Sequence, residues 1–385
     1  MGSGKTTWCI NEILNKNLDE NILYITPYLA EIERIKGQTE RTIFSPINKG
    51  TGKIGNIVDL LNNQDDIAAT HELFRRFDNK CKTALIENEY TLILDETLEV
   101  VEPYKFNAKD DYQYLIDNHD IEVDSCGCIT WTGSELNTRF DDVRILAQNK
   151  CLFKVDDKFF LWHFPVEIFK LFKQVYVLTY LFEGSLMKNY FDLYGIEYEV
   201  KSLQNNQITS YVHPDKSQYR DRINIYKGRL NENISQKTNM LSTNWSRNSY
   251  SQNDIKQIQK NIYNYIRNII DAKSDQIMWT CIKPNKKKLQ GKGYANGFVS
   301  CNARASNDYA DRTCLIYAVN WFCNPEIVKF FKQNDIEVNQ DAVALSTILQ
   351  WIWRSNIRVS DSTETINIYI PSRRMRTLLV DWLAA

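Results

Sequence analysis

The stretch Gly2-Ser3-Gly4-Lys5-Thr6-Thr7, at the start of the sequence, decides the expected fold. A phosphate-binding loop needs backbone N–H groups that converge on anionic oxygens, and glycines let the backbone come close at the N-terminus of a helix. Lys5 is then placed to reach the outer phosphates, and the Thr6 hydroxyl can hold Mg2+. The amphipathic run from Thr7 to Leu14 is the helix that such a loop begins. These six residues therefore predict a nucleotide-binding α/β domain.

A second stretch, Tyr90-Thr91-Leu92-Ile93-Leu94-Asp95-Glu96, is an apolar strand that ends in two carboxylates. Hydrolysis of a nucleotide requires one acid near Mg2+ and one that aligns and deprotonates the attacking water. Asp95 suits the first role and Glu96 the second. A turn with two solvated acids is the simpler alternative for this stretch alone. Combined with the loop upstream, the pair predicts hydrolysis of ATP with Mg2+.

Length and composition set the broad class. The chain has 385 residues, more than one hydrophobic core usually serves, so we expect two domains. Its net charge of -1 gives no global basic field, and any contact with nucleic acid must come from a local groove. No apolar run approaches the roughly 20 residues that cross a bilayer, so a membrane is not an expected partner. Nine scattered cysteines and four unclustered histidines favour a reducing cytoplasm over a disulfide framework.

The hydrophobic pattern predicts an α/β fold with parallel central sheets. Apolar runs without alternation, such as Ile22–Ile25 and Leu92–Leu94, are separated by amphipathic helical stretches. That arrangement is typical of parallel strands covered on both faces. Between about 103 and 165 the pattern changes to short hairpin strands, which indicates a small β-rich insertion.

The domain boundaries follow from where this pattern weakens. We expect a first domain at 1–205 that carries the insertion, a polar linker at 206–221 and a second domain at 222–385. Further predicted elements are strands at Tyr198–Val200, Ile223–Tyr226, Ile277–Thr280, Phe298–Ser300, Cys314–Ala318 and Ile366–Ile370, and a helix from Asp341 to about Arg358.

Several short segments resemble one family. They are Thr26-Pro27, Thr70-His71, Leu178-Thr179-Tyr180, the run from Asn302 to Tyr309, and the run from Gln350 to Arg358. With the loop and the acid pair, they resemble superfamily 2 helicases, specifically the DEAD-like ATPases of bacteriophages and prophages, which are similar to viral origin-binding helicases. The resemblance implies two RecA-like P-loop domains with ATP between them. Because that family's loop often reads PMGSGKT, Met1 corresponds to the methionine inside the motif. The first domain is then expected to lack its first strand.

The resemblance also implies roles for individual residues. Those expected to contact nucleic acid are Thr26, Pro27, Thr70, His71, Arg304 and Asn307. Thr179 stands where the family couples its nucleotide to the DNA channel, although Tyr180 replaces the alanine expected next to it. Plain strand-to-helix caps are the alternative for Thr26-Pro27 and for Thr70-His71. A structural salt bridge is the alternative for Arg304.

Gln350, Arg354 and Arg358 resemble the arginine-bearing motif of the second domain. Residues four apart fall in one stripe on a helix. A guanidinium brought to the γ-phosphate neutralises transition-state charge. Family members usually carry arginines four and seven residues after the glutamine, and here Ile357 occupies the latter place. The resemblance therefore supports Arg354 as the arginine finger better than Arg358. A helix end with arginines that favour its dipole is the alternative.

The expected function is therefore an ATP-dependent helicase or translocase. Its partner would be single-stranded or duplex DNA, with RNA not excluded, in the cytoplasm of a bacterial host if the gene belongs to a phage. One rival is a terminase-type packaging ATPase, which shares the loop and the acid pair but needs an acidic metal cluster in its C-terminal half. The other is a truncated protein that binds nucleic acid without turning over ATP.

Overall fold

The computed structural model describes residues 4–48, 50, 52–134, 138–213, 215–235, 237–248, 251–302, 308–359 and 361–385. Gly2, Ser3, Arg304 and Asn307, all predicted site residues, lie outside the described residues. The chain divides into two compact units. The N-terminal unit comprises Gly4–Ile208 and Asn324–Val338, and the C-terminal unit comprises Thr209–Cys323 and Asn339–Ala385.

The described residues form the following elements. The strands are β1 (Asn21–Thr26), β2 (Ile43–Phe44), β3 (Asp66–Thr70), β4 (Tyr90–Asp95), β5 (Val101–Tyr104), β6 (Ile121–Val123), β7 (Ile129–Trp131), β8 (Leu152–Asp156), β9 (Phe159–His163), β10 (Gln174–Leu178), β11 (Lys201–Gln204), β12 (Gln207–Ser210), β13 (Ile223–Ile225), β14 (Ile277–Cys281), β15 (Cys314–Ala318) and β16 (Ile366–Tyr369). The helices are α1 (Lys5–Cys9), α2 (Leu29–Gln38), α3 (Gly52–Asn62), α4 (His71–Phe74), α5 (Asn79–Glu87), α6 (Asp111–Asp117), α7 (Asp141–Gln148), α8 (Leu186–Leu193), α9 (Ser217–Arg222), α10 (Thr243–Ser246), α11 (Ser251–Asn264), α12 (Lys286–Leu289), α13 (Pro325–Gln333), α14 (Gln340–Ile352) and α15 (Arg373–Ala384). α1 continues as a π-helix over Ile10–Leu14. Within these residues, no helix has the length and apolar character that crossing a membrane requires.

The N-terminal unit is built on a parallel sheet with strand order β10-β4-β1-β3-β2. β1 and β4 are buried along almost their whole length because both faces of the sheet are covered. The C-terminal unit has a second parallel sheet, in the order β13-β16-β15-β14, in which β14 and β15 are fully buried. These two sheets confirm the predicted α/β fold class.

The carboxyl ends of the N-terminal strands converge at one edge of their sheet. Thr26 is paired with Thr70 at the ends of β1 and β3, and Asp95 is paired with Leu178 at the ends of β4 and β10. Because all the strands are parallel, the loops that follow them leave from the same side. In open α/β sheets, ligands bind in the crevice outside this edge.

Antiparallel strands occupy the segment between β4 and β10. β5, β9 and β8 form one small sheet, and β6 pairs with β7. Helix α13, from late in the sequence, packs here: the Phe330 ring lies 4.5 Å from the ring of His163 and 5.9 Å from that of Phe153. Lys329 Nζ also lies 3.1 Å from Asp156 Oδ2. The segment Asn324–Val338 therefore belongs with the N-terminal unit, whereas we expected 222–385 to form one continuous domain.

Some predicted elements are wrong. No strand covers 198–200; the strand begins at Lys201 and pairs with β12 in a hairpin. The predicted linker at 206–221 contains β12 and most of α9 rather than irregular chain. The predicted strand at Phe298–Ser300 is also absent, and Phe298 forms only an isolated bridge to Trp279. The preceding residue, Gly297, packs closely on the Ile277 carbonyl, and an added Cβ would lie 2.4 Å from that oxygen.

The helix predicted from Asp341 to Arg358 ends at Ile352. Ser355 causes the break, because its hydroxyl donates a hydrogen bond of 2.7 Å to the Ile352 carbonyl and its backbone is extended. A serine that bonds to a nearby carbonyl offers the chain an alternative to the next helical turn. Asn356–Arg358 then form a short 3-10 turn. Gln350, Arg354 and Arg358 therefore do not form a stripe on one helix.

Candidate nucleotide-binding site

Helix α1 presents Lys5 at its first turn. Gly4 precedes it in a left-handed conformation (φ 73°) that an L side chain rarely adopts, and the Trp8 N–H donates to the Gly4 carbonyl at 2.8 Å. Behind Lys5, Cys9 is buried in a core shared with β1 and β4. Trp8 meets the ring of Tyr176 on β10 edge to face at 6.4 Å. The helix that carries Lys5 is thus anchored against the sheet.

Asp95 ends strand β4, Glu96 follows it, and both lie close to Lys5. Burial raises the pKa of Asp95 to about 7, and the negative charges of Glu96 and Glu31 add to the rise. Burial lowers the pKa of Lys5, while the charges of Glu96 and Asp95 oppose that lowering. The three predicted residues therefore form one cluster in which a cation faces two acids.

Glu96 is held in a strained backbone conformation. Its φ is +68°, a left-handed value that costs a residue with a Cβ on the order of 1 kcal/mol or more. Two bonds fix it: its N–H donates to the Leu178 carbonyl at 3.2 Å, and its Oε2 accepts from the Thr179 hydroxyl at 3.3 Å. Strain of this kind concentrates at functional sites. Thr179, predicted to couple the nucleotide to nucleic acid, thus contacts the predicted catalytic acid directly.

The sequence did not single out the groups that surround Asp95. Burial raises the pKa of Tyr24, and the nearby Asp95 charge adds to that effect; the same two causes raise the pKa of Cys9. Glu31 and Arg34 on α2, which form an ion pair, also lie close enough to shift the Asp95 pKa in opposite directions. A tyrosine in the middle of an apolar strand was the available signal for Tyr24. The spacing of three residues on a helix predicts the ion pair between Glu31 and Arg34. It does not indicate that the pair lies near Asp95.

The residues predicted to contact nucleic acid from this unit occupy different environments. Thr26 is fully buried, so its hydroxyl is not presented at the surface, and Pro27 beside it is half-buried. Thr70 caps α4 by accepting from the Leu73 N–H at 3.3 Å. His71 is 8% exposed and its Nε2 lies 3.1 Å from the Asp95 carbonyl. Among these four, His71 is tied most directly to the acid pair.

The residues predicted for the other half of the site lie in the C-terminal unit. Gln350 is half-buried near the end of α14, and its carbonyl accepts from Arg354 Nε at 3.3 Å. Arg354 is only 6% exposed and lies near enough to Cys301 to affect its pKa. Arg358, in the short 3-10 turn, is exposed. Arg354 is therefore placed as an internal group of its unit, and Arg358 is the surface arginine of the predicted motif.

The oxygen ligands in the cluster suit Mg2+ bound together with a nucleotide. Mg2+ is usually held by one or two carboxylates plus substrate phosphates and waters. Asp95 offers a carboxylate, and Thr6 and Thr7, next to Lys5, offer hydroxyls at half-buried and exposed positions. In the part of the chain that the structure describes, no group of three or more histidines, cysteines or acids could hold a metal by itself. The donor set therefore fits an ion that takes its remaining ligands from phosphate.

The fold and this cluster define the class: an α/β protein with two parallel sheets and a lysine facing two carboxylates at the carboxyl edge of the first. The chain is 39% identical to the SPbeta prophage-derived uncharacterized protein YonV of Bacillus subtilis (strain 168), over 100% of this chain and 97% of that protein. The model of the YonV C-terminal Rossmann-like domain matches residues 217–383, and that of the YonV middle domain matches residues 101–162. The chain belongs to the YonV family.

Two solved structures are also similar. One, titled XPD helicase, has a TM-score of 0.49 at 11% identity and covers 99% of this chain and 94% of its own. The other, Xpd4 of S. tokodaii, has a TM-score of 0.47 at 10% identity and covers 98% of this chain and 91% of its own. Neither likeness bears on activity.

Proposed function

We propose that this chain is an ATP-dependent nucleic-acid motor of the helicase or translocase type, which acts on DNA in phage replication or recombination. The observation that carries the proposal is the cluster of Lys5, Asp95 and Glu96 at the carboxyl edge of the sheet, in which the charges of the two acids act on Lys5. A lysine at the start of a helix and a pair of acids at the end of a neighbouring strand are what hydrolysis of a bound nucleoside triphosphate requires.

Each residue of the cluster then has a separate task. Lys5 and the backbone N–H groups at the start of α1 would hold the outer phosphates of ATP, while Thr6 and Asp95 would hold Mg2+. Mg2+, when bound, neutralises charge on the phosphate oxygens. Glu96 would accept the proton of the attacking water as the bond between the β- and γ-phosphates breaks, giving ADP and phosphate.

Thr179 supports the motor part of the proposal. Its hydroxyl donates to Glu96 from the residue immediately after β10. A movement of that loop would alter the position of Glu96. A movement of Glu96 would likewise displace the loop, because coupling between two sites is reciprocal. A nucleic-acid strand that shifts the loop after β10 would thereby change the rate at which ATP is hydrolysed.

The phage setting is supported by the relative, which is described as prophage-derived. We propose DNA as the polymer on the same ground. Of the two arginines of the predicted second-domain motif, we propose Arg358 as the one that acts on ATP, since it is exposed whereas Arg354 is almost completely buried.

A translocation assay tests the proposal. Streptavidin bound at either end of a biotinylated single strand of DNA should be displaced by the protein in the presence of ATP and Mg2+. The Glu96→Gln variant should bind the strand equally well but displace no streptavidin. Displacement that proceeds without ATP, or equally fast in the variant, would refute the motor. A strand of RNA run in parallel distinguishes the two polymers.

A further inference from the structure

A basic cavity of about 340 Å3 lies in the C-terminal unit, away from the residues assigned above. Its lining consists of Lys227, Asn231, Glu232, Arg373 and Arg376. Cavities that bind apolar small molecules are lined mostly by hydrophobic side chains. This one carries three cations and one anion, so its chemistry suits an anionic ligand.

The cavity lies where parallel α/β sheets commonly bind ligands. Lys227 comes two residues after β13, and Arg373 begins α15 four residues after the adjacent strand β16 ends. β13 and β16 are paired in parallel, so both loops leave from the carboxyl edge of the sheet. The dipole of α15, a helix of 12 residues, adds partial positive charge at the same place.

Arg376 lines the cavity and is fixed there by hydrogen bonds from one nitrogen. Its Nη1 donates to the Ile370 carbonyl at 2.6 Å, to Asn231 Oδ1 at 3.2 Å and to the Pro371 carbonyl at 3.3 Å. Among the described residues, its Nε and Nη2 donate to no protein group. A guanidinium fixed by one nitrogen, with two others available, is prepared to bind an oxyanion.

Lys227 and Arg373 are exposed and form no ion pair within the described part of the chain. The backbone beside Lys227 is well defined, because the Tyr226 N–H donates to the Ile368 carbonyl at 2.9 Å and the Tyr226 ring packs against Gly228. The nearby positive charge of Arg373 contributes to a lowered pKa of Arg376, whose main cause is burial. The positive charges of Arg373 and Arg376 repel each other, and a bound anion would offset this repulsion.

The neighbouring Arg374 shows what a structural arginine looks like in the same helix. Its guanidinium bonds to Asp341, the Trp321 carbonyl and the Gln340 carbonyl, and its donors are directed into the unit. The arginines at the start of α15 therefore have different roles. Arg374 stabilises the fold, whereas Arg373 and Arg376 line the cavity.

We infer that Lys227, Arg373 and Arg376 form a phosphate site that binds the backbone of a single-stranded nucleic acid. The choice of a strand rests on the proposed function, and the solvated, mostly charged lining agrees with a phosphodiester that passes over the surface. Among the described residues of the lining, Glu232 is the only acid, and its carboxylate repels the phosphate and weakens binding.

The test is equilibrium binding of a labelled oligothymidylate to the full chain, followed by fluorescence anisotropy at several salt concentrations without ATP. Each lost phosphate contact should weaken binding roughly fivefold near 0.1 M salt and reduce the salt slope by about 0.7. Lys227→Gln combined with Arg373→Gln should therefore weaken binding about 25-fold and lower the slope by about 1.4. Glu232→Gln should bind more tightly than wild type.

The matched control is Lys256→Gln, which removes an exposed lysine from α11 in the same unit. Because Lys227 and Arg373 are exposed, the double variant should unfold at the wild-type temperature. Equal affinity in the double variant and the control would overturn the inference and leave the proposed motor intact. Weaker binding by Glu232→Gln would also overturn it.

Two further outcomes separate the sources of phosphate. If the double variant loses affinity for a fluorescent ATP analogue but keeps its affinity for the strand, the site binds free nucleotide and the inference is wrong. If the wild-type chain binds no strand at all, the inference and the nucleic-acid part of the proposed function fail together. Hydrolysis of ATP, measured separately, then still tests the site at Lys5.

Discussion

The Thr179 hydroxyl donates a hydrogen bond of 3.3 Å to Oε2 of Glu96, across two adjacent parallel strands. The backbone repeats this link, because the Glu96 N–H donates to the Leu178 carbonyl at 3.2 Å. The loop after β10 and the acid after β4 are therefore joined twice. In the proposed motor this junction would pass the effect of a bound strand to the hydrolytic acid.

Replacement of Thr179 tests this junction. Thr179→Val keeps the shape of the side chain but removes the donor to Glu96, and hydrogen bonds to charged groups contribute roughly 1.5–3 kcal/mol. We expect strand-stimulated phosphate release to fall about tenfold or more in Thr179→Val. Thr179→Ser, which keeps the hydroxyl, should retain most of the stimulation. Equal rates in the valine and serine variants would show that the hydroxyl has no part in coupling.

The left-handed backbone at Glu96 predicts an unusual order of stability. Glycine is normally less favourable than alanine in a fixed backbone, but at a positive φ it avoids the clash of the Cβ. Both Glu96→Gly and Glu96→Ala remove the carboxylate and its bond to Thr179, so they differ in the Cβ alone. We expect Glu96→Gly to be more stable by about 1 kcal/mol in urea unfolding. An alanine variant as stable as the glycine variant would mean that the site stores no backbone strain.

The raised pKa of Asp95 makes its contribution to stability depend on pH. An unfolded aspartate has a pKa of about 3.9, and the folded value is about 7. Between these values the folded state binds more protons than the unfolded state, so this group lowers stability as pH rises through that window. Asp95→Asn cannot ionise and escapes the loss.

Without Mg2+, the melting temperature of Asp95→Asn should therefore exceed that of wild type by more at about pH 8 than at about pH 5. Asp59→Asn, which removes an exposed acid on α3, serves as the control and should show no such difference. If the gap between Asp95→Asn and wild type does not change with pH, the half-buried Asp95 does not have a raised pKa in the folded chain.

The two arginines of the predicted second-domain motif should behave differently. Arg354 is 6% exposed and bonded to the Gln350 carbonyl, so Arg354→Gln should cost about 2 kcal/mol or more of stability. Arg358→Gln, at an exposed position, should leave the unfolding temperature unchanged and lower the rate of ATP hydrolysis about 10³-fold. Thermal unfolding and phosphate release measured on both variants check this. A stable, inactive Arg354→Gln together with a fully active Arg358→Gln would reverse the assignment.

Much of the fold was predictable because buried parallel strands leave a clear pattern. Ile22–Ile25 and Leu92–Leu94 are continuous apolar runs, and both lie in the centre of the first sheet. Helix ends that depend on one side chain were not predictable. Ser355 stops α14 by bonding to the Ile352 carbonyl, although the hydrophobic period continues beyond it.

The candidate site was predictable in its motifs but not in its surroundings. Lys5, Asp95 and Glu96 belong to short sequence motifs whose residue types indicate nucleotide hydrolysis. The structure brings the three residues together. Tyr24 and Glu31 approach Asp95 only through the pairing of β1 with β4 and the path of α2. The docking of α13 in the N-terminal unit was likewise hidden, because it depends on contacts between residues far apart in the sequence, such as Phe330 and His163.

In the proposed motor, the cluster of Lys5, Asp95 and Glu96 hydrolyses ATP in response to a nucleic-acid strand. The most direct measurement is steady-state phosphate release with ATP and Mg2+, with and without single-stranded DNA, for wild type, Lys5→Ala and Glu96→Gln. Lys16→Ala, which removes an exposed lysine from the surface, is the control and should match wild type. We expect DNA to accelerate phosphate release by the wild-type chain, and the rate of release to fall at least about 10²-fold in both site variants. Release that DNA does not accelerate, or that persists in Lys5→Ala, would contradict the proposed motor.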